Sequence, residues 1–140
     1  MNIDMIGPGI VLGLGCIGSS IGCGIAGMAS HGVMTRVEEG HGKFIGLSAA
    51  PSTQSVFGFI LMVLMKNAIK AGTLSPLSGI GIGLFVGLAL MISSIYQGKC
   101  AATAIQAAAK QPAVFGKAFA ALGIVEGFSL FAFIFALQLL

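Results

Sequence analysis

Four long apolar stretches, separated by short polar breaks, set the main limit on how this chain can fold. They cover, roughly, residues 6–33, 44–65, 77–105 and 113–140. A helix of about 20 apolar residues crosses the hydrocarbon core of a bilayer, and it satisfies its own backbone hydrogen bonds there. The sequence therefore predicts an all-α membrane protein with four transmembrane helices. The first stretch is too long for a signal peptide and lacks a basic start, so we expect a retained first span.

The low charge of the chain excludes several classes of protein. Only 8% of its 140 residues are charged, whereas soluble domains carry about 25%. This composition excludes a water-soluble enzyme and makes membrane lipid the expected surrounding. The net charge of +3 is scattered and is not interleaved with aromatic residues, so we expect no nucleic-acid partner.

The positions of the basic residues predict the orientation of the spans. Five lie in or beside the first and third turns, and two lie in the middle turn. Cytoplasmic loops carry the excess of lysine and arginine. We therefore expect a multi-pass protein of the cell membrane, with the first and third turns in the cytoplasm and both termini outside. The five are Arg36, Lys43, Lys99, Lys110 and Lys117, and the two are Lys66 and Lys70.

The two halves of the chain resemble each other at an offset of 74 residues. At this offset the Ser-Ser-Ile of residues 19–21 aligns with the Ser-Ser-Ile of residues 93–95. We infer a duplicated helical hairpin with its two copies in parallel orientation. One hairpin would occupy residues 1–72 and the other residues 73–140.

Glycine is frequent in the first and third spans, and residues 13–18 have the spacing G-x-G-x-x-G. A dinucleotide site with this motif needs a preceding strand and a βαβ unit, and the apolar pattern predicts neither. Small residues four apart instead let helices approach closely in lipid. Such pairs lie on more than one face of the first span, for example Gly9 with Gly13 and Gly18 with Gly22. This arrangement predicts a tightly packed oligomer.

The few strongly polar side chains inside the spans share one depth. Gln97 lies fourteen residues before the middle of the third turn, and Glu126 lies fifteen after it. Thr53 and Gln54 lie about sixteen residues after the first turn. At 1.5 Å per residue, all four lie roughly 21–25 Å from the turns, near the middle of a bilayer. In the duplicated register Ser52 aligns with Glu126, so each chain has one carboxylate at this level.

The chemistry of this layer predicts a site for a cation or a proton. An ionised carboxylate at the bilayer centre costs about 2.5–3.5 kcal/mol on insertion scales, so Glu126 has to be neutralised. A proton can neutralise it. A hard monovalent cation such as Na⁺ can also do so, with oxygen ligands from Thr53, Gln54 and Gln97. A lone intramembrane Gln or Thr is, by itself, most often a helix–helix hydrogen-bond partner.

Pro51 predicts a local break in the second span. It denies a hydrogen bond to the carbonyl one turn earlier, near Leu47, and we expect the helix to bend there. A carbonyl beside this break, such as that of Ala50, could join the oxygen shell. We interpret Ser52, Ser55 and Ser129 as packing residues or as serines bonded back to their own helix.

Three short motifs give the chain a resemblance to a known family over nearly its whole length. They are Ala50-Pro51-Ser52-Thr53-Gln54, Ile95-Tyr96-Gln97-Gly98-Lys99 and the Val125-Glu126 of LGIVEGF. With them the chain resembles the membrane rotor proteolipid, the c or K subunit, of V-type and bacterial A/V-type ATPases. The resemblance implies a homo-oligomeric ring that turns against a stator membrane subunit with an arginine, with central-stalk subunits at the cytoplasmic turns. ATP hydrolysis would lie in other subunits, since this chain has no P-loop.

The resemblance also implies roles for single residues. Glu126 would be the carboxylate that carries the ion. In sodium-translocating members a Thr, two Gln side chains, the Glu and one backbone carbonyl hold the ion. These ligands fall here on Ala50, Thr53, Gln54, Gln97 and Glu126. We therefore expect Na⁺ as the transported ion, with H⁺ alone as the alternative.

Two positions depart from the sodium-type pattern. Phe57 stands in place of a Tyr that donates a hydrogen bond to the Glu, and Gly127 stands in place of a Thr.

Two other functions stay open. A small multidrug antiporter also has four helices and a membrane Glu, but it resembles a chain with that Glu in its first helix. A proteolipid channel or structural oligomer would bind no ion, and Glu126→Gln would leave its function intact.

Overall fold

The computed structural model describes residues 3–140, and within that range it contains four helices long and apolar enough to cross a membrane. These helices confirm the predicted all-α membrane fold. We call them the first to fourth spans, and they run Ile6–Met34, His41–Ala71, Pro76–Lys110 and Pro112–Leu139. The third span has 35 residues, which makes it about 50 Å long. Because a hydrocarbon core is only about 30 Å thick, part of this helix lies outside it.

The second span is interrupted where the sequence predicts a break. It consists of an α-helix over His41–Ala49, a 3₁₀ turn over Ala50–Ser52 and an α-helix over Thr53–Ala71. Pro51 has no N–H to donate to the carbonyl of Leu47, and the N–H of Ala50 donates to that carbonyl instead. The tighter turn therefore satisfies the carbonyl that the proline would leave unbonded.

The first and third turns lie at the same end of the helix bundle. Residues from both turns line one cleft, among them Val37, Gly40, Ala109 and Pro112. Gly40 has a φ of +80° immediately before the second span, a backbone conformation that disfavours a side chain. The shared end agrees with the hairpin topology, whereas the side of the membrane on which it lies stays a prediction.

Glycines of the first span set its contacts with two neighbouring helices. A Cβ on Gly18 would lie 2.5 Å from Met91 Cα on the third span, and one on Gly22 would collide with the Ser94 carbonyl. A Cβ on Gly15 would lie 2.9 Å from the Gln54 carbonyl on the second span. The G-x-G-x-x-G motif thus supplies contact residues for helix packing, and no strand precedes it among residues 3–12.

Other glycines of the first span have open space where a Cβ would lie, among the residues that the structure describes. Open space lies around the Cβ positions of Gly9, Gly13 and Gly24. Small residues on an exposed helix face permit a close approach by another helix. This unpartnered face agrees with the predicted oligomer.

The buried core is split into two apolar clusters with a polar layer between them. On each of three spans a buried polar residue lies midway between buried apolar residues of the two clusters. The triplets are Leu47, Gln54 and Leu61; Ile105, Gln97 and Leu90; and Leu122, Ser129 and Ala136. The common depth that helix geometry predicts for Gln54 and Gln97 is therefore the depth at which the two carboxamides meet.

Candidate ion-binding site

The Glu126 carboxylate lies beside the carboxamide of Gln97. Gln97 Nε2 donates to Glu126 Oε2 over 3.3 Å and to the carbonyl of Leu122 over 3.4 Å. Gln97 is almost fully buried, with 1% of its surface exposed, whereas Glu126 is half-buried. The carboxylate thus lies at the edge of the buried polar layer, with one oxygen held by an amide.

Gln54 extends this network to the second span. Gln54 Nε2 donates to Gln97 Oε1 over 3.0 Å, and Gln54 Oε1 accepts from Thr53 Oγ1 over 3.2 Å. Thr53 Oγ1 also lies 3.4 Å from the carbonyl of Ala50, the first residue of the 3₁₀ turn that contains Pro51. A continuous series of contacts therefore joins the Ala50 carbonyl to Glu126.

An open cleft borders this network. It has a volume of about 340 Å³, and its wall includes Ala50, Thr53, Gln97 and Glu126. Gln54 is fully buried behind this wall and reaches the site through its contacts with Thr53 and Gln97. The structure thus brings together all five residues that the resemblance implies as ligands, and it places four of them on the cleft.

Two serines of the third span brace the site from behind. Ser94 Oγ donates to the carbonyl of Pro51 over 2.7 Å, and Ser93 Oγ donates to the carbonyl of Val125 over 2.9 Å. They attach the third span to the break in the second span and to the residue before Glu126. Sequence reasoning used these serines as a mark of duplication and as small packing residues, and it missed their contacts with the site.

Ser129 has a second contact that the sequence did not reveal. Its Oγ donates to the carbonyl of Glu126 over 2.7 Å, which confirms the interpretation as a back-bonded serine. It also accepts a hydrogen bond from Gln54 Nε2 over 3.3 Å. The spacing of three residues between Glu126 and Ser129 could have indicated that Ser129 belongs to the site, because residues three apart share one face of a helix.

The two departures from the sodium-type pattern are visible in the structure. Phe57 stacks against Phe133, with ring centroids 5.4 Å apart, and its ring supplies no hydroxyl to Glu126. A Cβ on Gly127 would meet nothing within 4 Å. An aromatic contact between the second and fourth spans thus occupies the place where the pattern has a hydrogen-bond donor.

The donor set fits a hard monovalent cation. It offers one carboxylate, two carboxamides, one hydroxyl and one backbone carbonyl, which are oxygen ligands with a single negative charge. Among residues 3–140 no group of three or more His, Cys, Asp or Glu side chains could hold a metal ion. Within the same residues every buried side-chain nitrogen and oxygen has a hydrogen-bond partner.

Comparison with known proteins supplies the family. The sequence profile of the ATP synthase C subunit matches the chain twice, over residues 6–65 and over residues 80–139. The chain belongs to the family of ATP synthase C subunits. The two matches support the internal duplication, although the boundary between residues 72 and 73 stays a prediction. This family member is a membrane proteolipid of the c/K type, which does not itself hydrolyse ATP.

Two relatives show which kinds of subunit within the family the chain is similar to. The A-type ATP synthase subunit K of Methanocaldococcus jannaschii is 33% identical over 99% of this chain and 61% of the relative. The chain thus spans about three fifths of that relative's length. The V-type sodium ATPase subunit K of Enterococcus hirae is 29% identical over 88% of this chain and 80% of the relative.

Proposed function

We propose that the protein is the ion-translocating rotor-ring subunit of a rotary ATPase and that Glu126 carries the ion across the membrane. The observation that carries this proposal is the position of Glu126, within one polar layer of four further oxygen donors and at the edge of an open cleft. A carboxylate at this depth is costly unless it is neutralised, and intramembrane carboxylates mark ion pathways.

We further propose Na⁺ as the ion, with Ala50, Thr53, Gln54, Gln97 and Glu126 as its ligands. The two carboxamides support this choice because a proton carrier needs no second or third oxygen ligand. The relative named as a sodium ATPase subunit supports it as well. Gln97 Oε1 accepts one hydrogen bond from Gln54 and keeps a second lone pair that can face a cation.

The transport cycle follows from the cost of a bare charge in lipid. While Glu126 faces lipid, bound Na⁺ neutralises it. At the stator an arginine of that subunit stabilises the bare carboxylate, so the ion is released. Each charge moved against 100 mV requires about 2.3 kcal/mol, which ATP hydrolysis in the soluble sector would supply.

The faces and ends of the helix bundle suggest where neighbouring copies of the chain and the stalk subunits bind. The open glycine face around Gly9, Gly13 and Gly24 suits a neighbouring copy of this chain in a ring. The end that carries the first and third turns faces the cytoplasm and meets the central-stalk subunits, and both termini lie outside.

Carbodiimide labelling of Glu126 tests the carboxylate and the ion together. Millimolar Na⁺, but not K⁺, should protect the wild-type protein at neutral pH, and Glu126→Gln should neither be labelled nor transport ions. If labelling falls as the pH rises and Na⁺ gives no protection, the transported ion is H⁺ and not Na⁺. Full transport by Glu126→Gln would favour the channel or structural oligomer instead.

The oligomeric state in mild detergent tests the ring. A rotor ring predicts one large homo-oligomer of defined mass. A monomer or dimer would contradict the ring and favour the four-helix antiporter.

A further inference from the structure

We propose that Ser129 is a positioning residue that fixes the orientation of the Gln54 carboxamide, so that Gln54 Oε1 faces the ion site. This inference rests on the proposed function, because the site is taken to hold an ion. Ser129 is fully buried and does not line the cleft, so its effect on the site passes through its two hydrogen-bond partners, Gln54 and the backbone carbonyl of Glu126.

The hydrogen bonds of Ser129 determine what Gln54 can present to it. A serine hydroxyl has one hydrogen, and that of Ser129 is donated to the carbonyl of Glu126 over 2.7 Å. The oxygen can then only accept a further hydrogen bond. The group of Gln54 that faces it, 3.3 Å away, has to be Nε2 rather than Oε1.

This constraint passes along the whole network. With Nε2 held by Ser129, the second N–H of Gln54 reaches Gln97 Oε1, and Gln54 Oε1 points towards Thr53. Because Gln97 Oε1 is held in this way, Gln97 Nε2 is directed to Glu126. One buried hydroxyl thus decides which atom each of the two carboxamides offers to its neighbours.

The first hairpin contains a matched serine without this contact. Ser55 aligns with Ser129 in the duplicated register, and Ser55 Oγ donates to the carbonyl of Ser52 over 2.7 Å. Among residues 3–140 no carboxamide donates to its oxygen, and Ser55 is only half-buried. The two serines share the bond back to their own helix, and of the two Ser129 alone also accepts from Gln54.

The assembled ring with Ser129→Ala, Ser129→Thr or Ser55→Ala tests the proposal. In Na⁺-free buffer at one fixed pH, carbodiimide should label Glu126 faster in Ser129→Ala, because Gln97 holds the carboxylate less firmly. The Na⁺ concentration that gives half-protection should rise about tenfold, the factor expected for one lost hydrogen bond. Thr can make the same back-bond, so Ser129→Thr should behave as the wild type does, and so should Ser55→Ala.

The two readouts separate this proposal from the proposed function. If Na⁺ does not protect the wild-type protein, the choice of Na⁺ is wrong. The labelling rate without Na⁺ still tests whether Ser129 positions Gln54. A wild-type labelling rate in Ser129→Ala would overturn the positioning role whatever the ion. If that variant does not assemble, Ser129→Cys, whose thiol is a weaker acceptor, should show the same faster labelling, and an unchanged rate would overturn the proposal.

Discussion

Replacement of Gly18 by alanine should separate the first and third spans and lower the stability of the bundle. The added Cβ would lie 2.5 Å from the Cα, 2.7 Å from the carbonyl oxygen and 3.0 Å from the carbonyl carbon of Met91. All three are backbone atoms, so no side chain can turn aside to make room. Carbon atoms pack at about 3.5–4.0 Å, so the two helices have to move apart locally by roughly 1 Å.

The expected cost follows from this separation. A gap of 0.5–1 Å removes about a quarter to a half of the dispersion attraction of the atoms that line it. Overpacking of a close-packed core costs about 1–3 kcal/mol. Alanine favours a helix over glycine by about 1 kcal/mol, which offsets part of this cost. Because all three clashes are with backbone atoms, the cost should lie in the upper part of its range, about 2–3 kcal/mol. We therefore expect a net destabilisation of about 1–2 kcal/mol, or roughly 3–8 °C in Tm.

Thermal unfolding of the purified protein in detergent measures this effect. Gly32→Ala is the matched control, because Gly32 lies in the same helix and a Cβ there would meet nothing within 4 Å. It should leave Tm unchanged or raise it slightly. The displaced third span also carries Gln97, six residues after Met91, so Gly18→Ala should weaken protection of Glu126 by Na⁺.

Two results would refute this reasoning. If Gly18→Ala melted at the wild-type temperature, the close approach of the two helices at Met91 would be wrong. If Gly32→Ala were destabilised equally, the loss would reflect glycine in the first span generally and not a specific contact.

Two further substitutions test the supports of the site. Ser94→Ala removes the donor to the Pro51 carbonyl and should lower the free energy of unfolding by about 1 kcal/mol. Ser20→Ala, at the exposed counterpart in the first hairpin, should lower it little. Equal melting temperatures in the two variants would contradict a stabilising bond from Ser94 to Pro51. Pro51→Ala restores an N–H and should let the helix continue regularly, which turns the Ala50 carbonyl from the cleft and raises the Na⁺ concentration for half-protection of Glu126. Pro112→Ala, at a 3₁₀ turn that does not border the cleft, should leave that concentration unchanged, and an equal effect in both variants would contradict a specific role of the break.

The sequence alone determined the four spans, the break at Pro51 and the depth of the polar residues. Each of these depends on local rules: the apolar length of a segment, the missing N–H of proline and the fixed rise of a helix per residue. Counting from the turns therefore placed Gln97 and Glu126 at one level before any contact between them was known. The candidate ligands came from this shared depth and its oxygen chemistry, and also from a resemblance of short motifs, which the family match supports only at the level of the family.

Only the tertiary structure decided which side of each helix meets which neighbour. The rotation of a helix about its axis depends on contacts with distant segments, and small residues lie on several faces of the first span. The sequence thus could not tell that a Cβ on Gly18 would meet Met91, whereas one on Gly13 would meet nothing within 4 Å among the described residues. The same limit hid the contact of Ser129 with Gln54, because those residues are 75 positions apart. Their hydrogen bond exists only because the packing of the second and fourth spans brings the two side chains to the same place.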